Sequence, residues 1–293
     1  MTLSCAEIHR ARPFLGTIVE VHASGAEQPA LLKGVELAFG AVRKVHRLMS
    51  FHDATSDVSR LNREAANAPV KIHPWTCRVL AAAQKFSAQS NGVFDITIAP
   101  LLQRWGYLPG RRLSRIAADW RDIILEPDHF VRFRRPLTID LGGIAKGFAV
   151  DRAIEALRKA GVPQGLVNAG GDLRSFGAAG HKIDIRHPLA PGQAAGSIRL
   201  SGHAMATSAL YYSRRQKGRH AVSPLINGQT RRPCVDDVSA TVIARDCLTA
   251  DALTKIVLAL REAARPVLAC YGADALLIER DLAPRFLSLN HAA

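Results

Sequence analysis

"DLGGIAKGFAVD" (residues 140–151) follows the apolar run Pro136-Leu137-Thr138-Ile139 and sets an acid, Asp140, two glycines and a cation, Lys146, within seven residues. From Lys146 to Gly161 the apolar residues recur at helical spacing, and a glycine closes the run. Upstream, residues 122–141 read as a β-hairpin or meander that delivers the chain into this turn. A hairpin feeding a helix, rather than one arm of a parallel crossover, points to an α+β fold. Glycines let a ligand approach the main chain, and a helix start offers unpaired N–H groups to an anion. The stretch is therefore suited to hold something charged.

Working outward, residues 16–24 alternate as a strand and residues 29–50 have helical spacing with a basic last turn. A polar loop over 51–64 leads to a short helix. Thr76 is expected to cap a further helix that runs to about Ser90 and ends at Asn91-Gly92. Residues 93–106 read as a strand that turns helical. Residues 165–177 read as strand, glycine turn, strand. "HKIDIRHP", "SIRLSGHAMATS" and "DDVSATVIAR" are further strands, residues 247–263 are helical, and a helix-to-strand pair ends the pattern. Hairpins and isolated helices mix without βαβ alternation. The expectation is α+β, with mixed or antiparallel sheets and packed helices. No repeat, low-complexity tract or long linker divides the chain, so residues 1–293 are expected to form one domain.

Composition narrows the function. Of the 293 residues 48% are hydrophobic, and no run reaches the roughly 18 apolar residues that would suggest a membrane span. The first residues carry no apolar signal core, which predicts a cytoplasmic location by default. The five cysteines are odd in number and contain no C-x-x-C, so neither a disulfide framework nor a zinc site is indicated, and scattered buried thiols are expected. Lysine and arginine outnumber acids 39 to 25, a net charge of +14. That suits an anionic partner: nucleic acid, an acidic protein or a phosphorylated ligand. The densest cluster is "RRQKGRH" (214–220), with Arg231-Arg232 beyond it. No nucleic-acid module accompanies these residues, and 6% aromatic content is thin for stacking bases, so nucleic acid is not the expected partner. The cluster reads as a solvated basic face.

The common phosphate loops and hydrolase signatures are absent. Instead, short unusual stretches are spread along the chain: "FLGT" (14–17), "MSFHDATSDVSRLN" (49–62), "FDITIAPL" (94–101), the opening stretch, "NAGGD" (168–172), "ATS" (206–208), "HAVSPLINGQ" (220–229) and "ADALTK" (250–255). Singly each has an ordinary explanation, such as a tight turn for 168–172. Together, and in this order, they resemble the ApbE family, the FAD:protein FMN transferases, from about residue 12 to about residue 260. The resemblance implies an α+β fold around a FAD cleft. It also implies that FMN passes from FAD to a Thr or Ser hydroxyl of a target flavoprotein through a phosphodiester, with release of AMP.

The resemblance further implies roles for individual residues. Asp140 and Lys146 would contact FAD, Lys146 also serving catalysis, and the Gly143 carbonyl would join a Mg²⁺ site. Leu15 would pack against FAD, His52 would stand where an aromatic stacks on it, and Asp95, Ile96 and Thr97 would contact it. His220 would be the catalytic histidine, with the apolar contact Val222 two residues later and Ser223 where an acid precedes the proline. Asp251 would ligate the metal with a Thr four residues on. Here that position is Lys255, with Thr254 one step earlier, and Ala209 replaces a glycine after "TS". Two readings follow: Asp251 and Thr254 hold the ion with waters, or the Lys255 ammonium stands where the cation would be, since Mg²⁺ takes oxygen ligands. A FAD pyrophosphatase, a FAD-binding protein without catalysis and a basic nucleic-acid-binding protein are the competing functions. The chain has no clear acceptor motif of the D-G-x-T-G type, so the acceptor is expected to be a separate flavoprotein.

Overall fold

The computed structural model describes residues 6–110, 118–188, 190, 192–210, 213–280 and 283–287. In chain order, a hairpin of β1 (Ala6–Phe14) and β2 (Thr17–Ala26) precedes the long helix α1 (Gln28–Met49), α2 (Asp57–Glu64), β3 (Val70–Lys71), α3 (Pro74–Gln89) and α4 (Ala99–Trp105). There follow β4 (Ile123–Leu125), β5 (Phe130–Phe133), α5 (Ala145–Lys159), β6 (Gln164–Ala169), β7 (Asp172–Phe176), β8 (His181–Arg186), β9 (Ala194–Leu200) and β10 (Ala204–Ala209). Next come the small hairpins β11 (Arg215–Lys217) with β12 (His220–Val222) and β13 (Ile226–Asn227) with β14 (Arg232–Pro233). The remainder is β15 (Val238–Ala244), α6 (Cys247–Leu260), α7 (Arg265–Tyr271), β16 (Asp274–Glu279) and β17 (Arg285–Phe286).

Eight strands form one antiparallel sheet in the order β1-β2-β6-β7-β10-β15-β16-β17. Side chains alternate across it, as strand geometry requires. Val167, Ala169 and Phe176 join Val150, Ile154 and Leu157 of α5 on one face, while Leu166, Leu173, Leu200 and Met205 gather on the other. Helix α1 covers β1 and β2, α5 covers β6 and β7, and α6 covers β10 and β15. On the opposite face Ile183 and Ile198 of the β8–β9 hairpin pack against the Leu166 cluster. Helix α1 buries Leu31, Val35, Ala38, Phe39, Val42, Val45 and Met49, one stripe at three- and four-residue spacing; each fully buried aliphatic or aromatic side chain contributes roughly 1.5–3 kcal/mol. A second sheet, β3-β5-β4, carries the 122–141 segment, and its Ile123, Val131 and Phe133 share a core with α3 and α6.

The α+β expectation holds, with local corrections. Thr76 does not cap α3. Pro74 occupies the first turn, where its missing N–H costs nothing, and His73 is the cap, its Nδ1 accepting from Trp75 N at 3.0 Å. Thr76 is buried and donates its hydroxyl to Asp57 Oδ2 at 2.7 Å. Residues 93–98 form no strand: the Asp95 carboxylate accepts from Thr97 N at 2.8 Å and starts a 3₁₀ turn, Ile96–Ile98, that leads into α4. Such local side-chain bonds compete with strand pairing. "SIRLSGHAMATS" is two strands, broken at Ser201–His203 where Gly202 takes φ +68°. Of the described cysteines, Cys247 is buried, Cys77 and Cys234 are half-buried and Cys270 is exposed, all as free thiols; Cys5 lies outside the described residues.

Candidate functional site

Helices α5 and α6 begin side by side, and each is capped by a carboxylate from the other. Asp151, the last residue of the opening stretch, accepts from Cys247 N at 3.0 Å and Leu248 N at 2.9 Å. Asp251, in the second turn of α6, accepts from Gly147 N at 3.0 Å. Carboxylates satisfy the orphan N–H groups and favour the positive helix end. Gly147 permits the approach, since a Cβ there would lie 2.2 Å from the Cys247 carbonyl oxygen. The first turn of α5 therefore already holds an anion of the protein's own, and the anion-binding role read from the sequence falls to the side chains around it.

Those side chains form a four-membered ionic cluster. The Lys146 ammonium bonds Asp172 Oδ2 and stands 3.9 Å from Asp251 Oδ1. The Lys255 ammonium bonds the same Asp251 oxygen, the i, i+4 pairing of one helical face. Asp172 and Asp251 are 1% and 0% exposed, so their charges require these partners. Burial would depress the Lys146 pKa, but Asp172 and Asp251 outweigh it and hold the ammonium charged. Burial pushes the Asp172 carboxyl up, and Asp251 adds to this against the pull of Lys146. Asp172 Oδ1 is buried without a hydrogen-bond partner.

Both lysines line a cleft of about 570 Å³, within the range of small-molecule sites. Its apolar wall includes Leu15, Met49, Phe94, Ile96, Leu102 and Leu108, and its polar end includes Asp140, Gly142, Gly143, Thr207 and Ser208. Leu15 sits in the two-residue turn of the β1–β2 hairpin at φ +56°, beside Gly16 at φ +72°. The left-handed region is natural for glycine and strained for leucine; the Leu15 N–H donates to His46 Nδ1 at 3.1 Å and helps fix the turn. Asp140 is positioned by its neighbours. The Asn62 amide donates to Ile139 O at 3.0 Å and accepts from Ile139 N at 2.8 Å, and Asp140 N donates to Ile96 O at 2.9 Å. Burial lifts the Asp140 carboxyl above the usual aspartate value, opposed by the Gly142 N–H and His52.

Of the residues singled out in the sequence, Leu15, His52, Asp95, Ile96, Asp140, Gly143, Lys146 and Lys255 line this cleft. Asp251 lies beneath it. Thr254 is buried, its hydroxyl donating to the Asp251 carbonyl at 2.7 Å and pairing with Ser208 Oγ at 2.8 Å. Thr97 is buried and lines a second cavity of about 620 Å³, beyond Asp95. His220 is exposed on β12 and Val222 is buried; neither is in the cleft wall. Their hairpin is tied to that wall through Tyr107, whose hydroxyl lies 2.7 Å from Ser213 O and 3.0 Å from Val222 O and can donate to either.

Three contributors escaped the sequence reading. Asp172 stood in the quoted "NAGGD", where a turn explained it; its position next to two glycines was the available signal. Tyr107 carried no signal. Arg231 was visible only as part of the basic cluster, yet it donates to Asp95 Oδ2 at 3.0 Å and to Ala118 O at 3.0 Å. The basic 214–220 run is more than a solvated face. Arg215 and Lys217 donate to Gly106 O at 3.0 Å and Arg104 O at 2.6 Å at the C-terminal end of α4, where cations are favoured.

The sequence and the fold both have known relatives. The model of the ApbE family matches residues 15–277. The chain is 26% identical to the FAD:protein FMN transferase of Vibrio cholerae over 84% of its own length and 79% of the relative's. It is 29% identical to that of Salmonella typhimurium over 70% and 64%. Among solved structures, the ApbE protein of Thermotoga maritima superposes with a TM-score of 0.84 at 26% identity, covering 96% of each chain. The apo flavinyl transferase ApbE of Pseudomonas stutzeri shares the fold, with a TM-score of 0.83 at 24% identity over 98% and 95%.

Proposed function

The chain belongs to the ApbE family, and from that premise we propose that it transfers FMN from FAD to a hydroxyl of a separate target protein. The observation that carries the reading is the cleft itself: it combines an apolar wall with two ammonium groups, Lys146 and Lys255, held by buried carboxylates. The rings of FAD would lie along the apolar part and its diphosphate at the lysines. The reading treats residues 1–293 as one unit, since the cleft is walled from Leu15 to Lys255.

The reaction moves one phosphoryl group. The acceptor Thr or Ser oxygen bonds to the phosphorus of the FMN half, and the bond from that phosphorus to the bridging oxygen breaks. AMP leaves with the electron pair, and the hydroxyl proton passes to a base. Positioning and charge neutralisation supply most of the rate in such transfers. Lys146 would offset charge on the diphosphate. His220 is the candidate base, histidine being the side chain most often used for that role. The tether of its hairpin to Tyr107 supports its delivery to the cleft mouth when the acceptor docks.

The resemblance implies Mg²⁺, and the residues do not fit it. Asp251 Oδ2 is taken by the Gly147 N–H, and Oδ1 has one ammonium bonded to it and another 3.9 Å away. The Thr254 hydroxyl is engaged by Ser208 and the Asp251 carbonyl. Among the described residues no group of three His, Cys, Asp or Glu side chains is disposed to hold a metal. A magnesium ion asks for near-octahedral oxygen donors, which these engaged groups do not present.

The test is incubation with FAD and a flavoprotein acceptor domain, read as covalent flavin fluorescence in a denaturing gel. Labelled acceptor is expected, with His220→Ala slowed by about a hundredfold or more. FAD split without labelling would contradict transfer and favour hydrolysis.

A further inference from the structure

We propose that the Lys255 ammonium, paired with Lys146, takes at the diphosphate the place of a divalent cation, so that this protein binds and cleaves its flavin dinucleotide without a metal ion. The inference rests on the flavin reading above and concerns how the charge of the substrate is met. Both ammonium groups line the cleft, and each is anchored on a carboxylate buried behind it, Asp172 for Lys146 and Asp251 for Lys255. The anchoring holds two flexible side chains ready at the cleft surface, which lowers the ordering cost of binding an anion.

Lys255 lines the cleft with 17% of its side chain exposed. It runs past Gly143, where even a Cβ would lie 3.9 Å from Lys255 Cε. Its neighbour Thr254 turns to Ser208 instead. The same arrangement opposes a divalent ion at Asp251, because a third cation would share one carboxylate oxygen with two ammonium groups. During transfer the growing negative charge on the bridging oxygen, which departs with AMP, would be met by the two lysines. An ammonium donates hydrogen bonds and one unit of charge, and so can serve electrostatically where it cannot serve as a ligand.

The test compares the protein with Lys255→Met and Lys255→Thr, in EDTA and in excess Mg²⁺. FAD affinity is read by flavin fluorescence, AMP release is measured with an acceptor present, and circular dichroism checks folding. The wild type is expected to bind FAD and release AMP equally, within about twofold, in both buffers. Lys255→Met is expected to weaken FAD binding by about tenfold or more, the loss of a charged hydrogen bond. Lys255→Thr is expected to bind weakly in EDTA and to recover in Mg²⁺. Loss of wild-type binding or AMP release in EDTA, restored by Mg²⁺, would overturn the inference, and this arm needs no variant to fold. A folded Lys255→Met that binds FAD like the wild type would also overturn it. A wild type that binds no FAD in either buffer would overturn the flavin reading itself.

Discussion

Asp251 is the residue on which most of the site depends. Its two oxygens hold the Gly147 N–H and the Lys255 ammonium, with Lys146 at 3.9 Å. Replacing it with alanine strands the Lys255 ammonium and a helix N–H in a largely buried place, while Lys146 keeps Asp172, and breaking such a pair costs about 3–5 kcal/mol. Asp251→Ala is expected to lose that stability in urea titrations; a loss below about 1 kcal/mol would contradict the arrangement. Asp140 gives a different signature. Burial lifts its carboxyl above the usual 3.8, with the Gly142 N–H and His52 opposing. Between the unfolded and folded values the native state holds more protons than the unfolded chain, so this group makes stability fall as pH rises through that window. Asp140→Asn is expected to shift the acid-range slope of stability against pH in the positive direction and to be relatively more stable above that range. An unchanged slope in urea titrations at successive pH values would count against the burial of this charge.

At the scale of elements, the crossed capping of α5 and α6 makes their separation a structural quantity that one methyl group tests. Gly147→Ala places a Cβ 2.2 Å from backbone oxygen, which cannot move aside as a side-chain tip could. The helices must part, at about 1–3 kcal/mol or more. A melting temperature lower by several degrees, together with weaker FAD binding, is expected; an unaltered melting temperature would contradict the close approach. Helices α1, α5 and α6 were legible in the sequence because their apolar stripes repeat over several turns and tolerate small errors at the ends. The sequence puts the start of α3 at Thr76 because threonine is a common cap, whereas His73 and Pro74 supply the cap and the first residue. Residues 93–98 read as a strand because Val93, Ile96 and Ile98 look β-forming, yet one Asx bond from Asp95 decided otherwise.

For the whole molecule, the α+β class could be read from the order of elements, but the strand order could not. The sheet places β2 beside β6 and β7 beside β10, pairings across long stretches of chain that carry no local signal. The site was legible as a set of short stretches whose convergence came from resemblance to a family. The spacing of Asp251 and Lys255 puts them on one helical face, whereas the partnership of Lys146 with Asp172 depends on sheet order. The placement of His220 outside the cleft wall likewise depends on how a small hairpin docks, and the catalytic role proposed for it requires the acceptor's approach. The most direct measurement is a crystal structure of the protein with FAD bound. The account predicts diphosphate oxygens within hydrogen-bonding distance of both the Lys146 and Lys255 ammonium groups, with the ring systems along the Leu15–Phe94 wall. A diphosphate lodged elsewhere, such as in the cavity beyond Asp95, with both lysines still bound only to their aspartates, would contradict it.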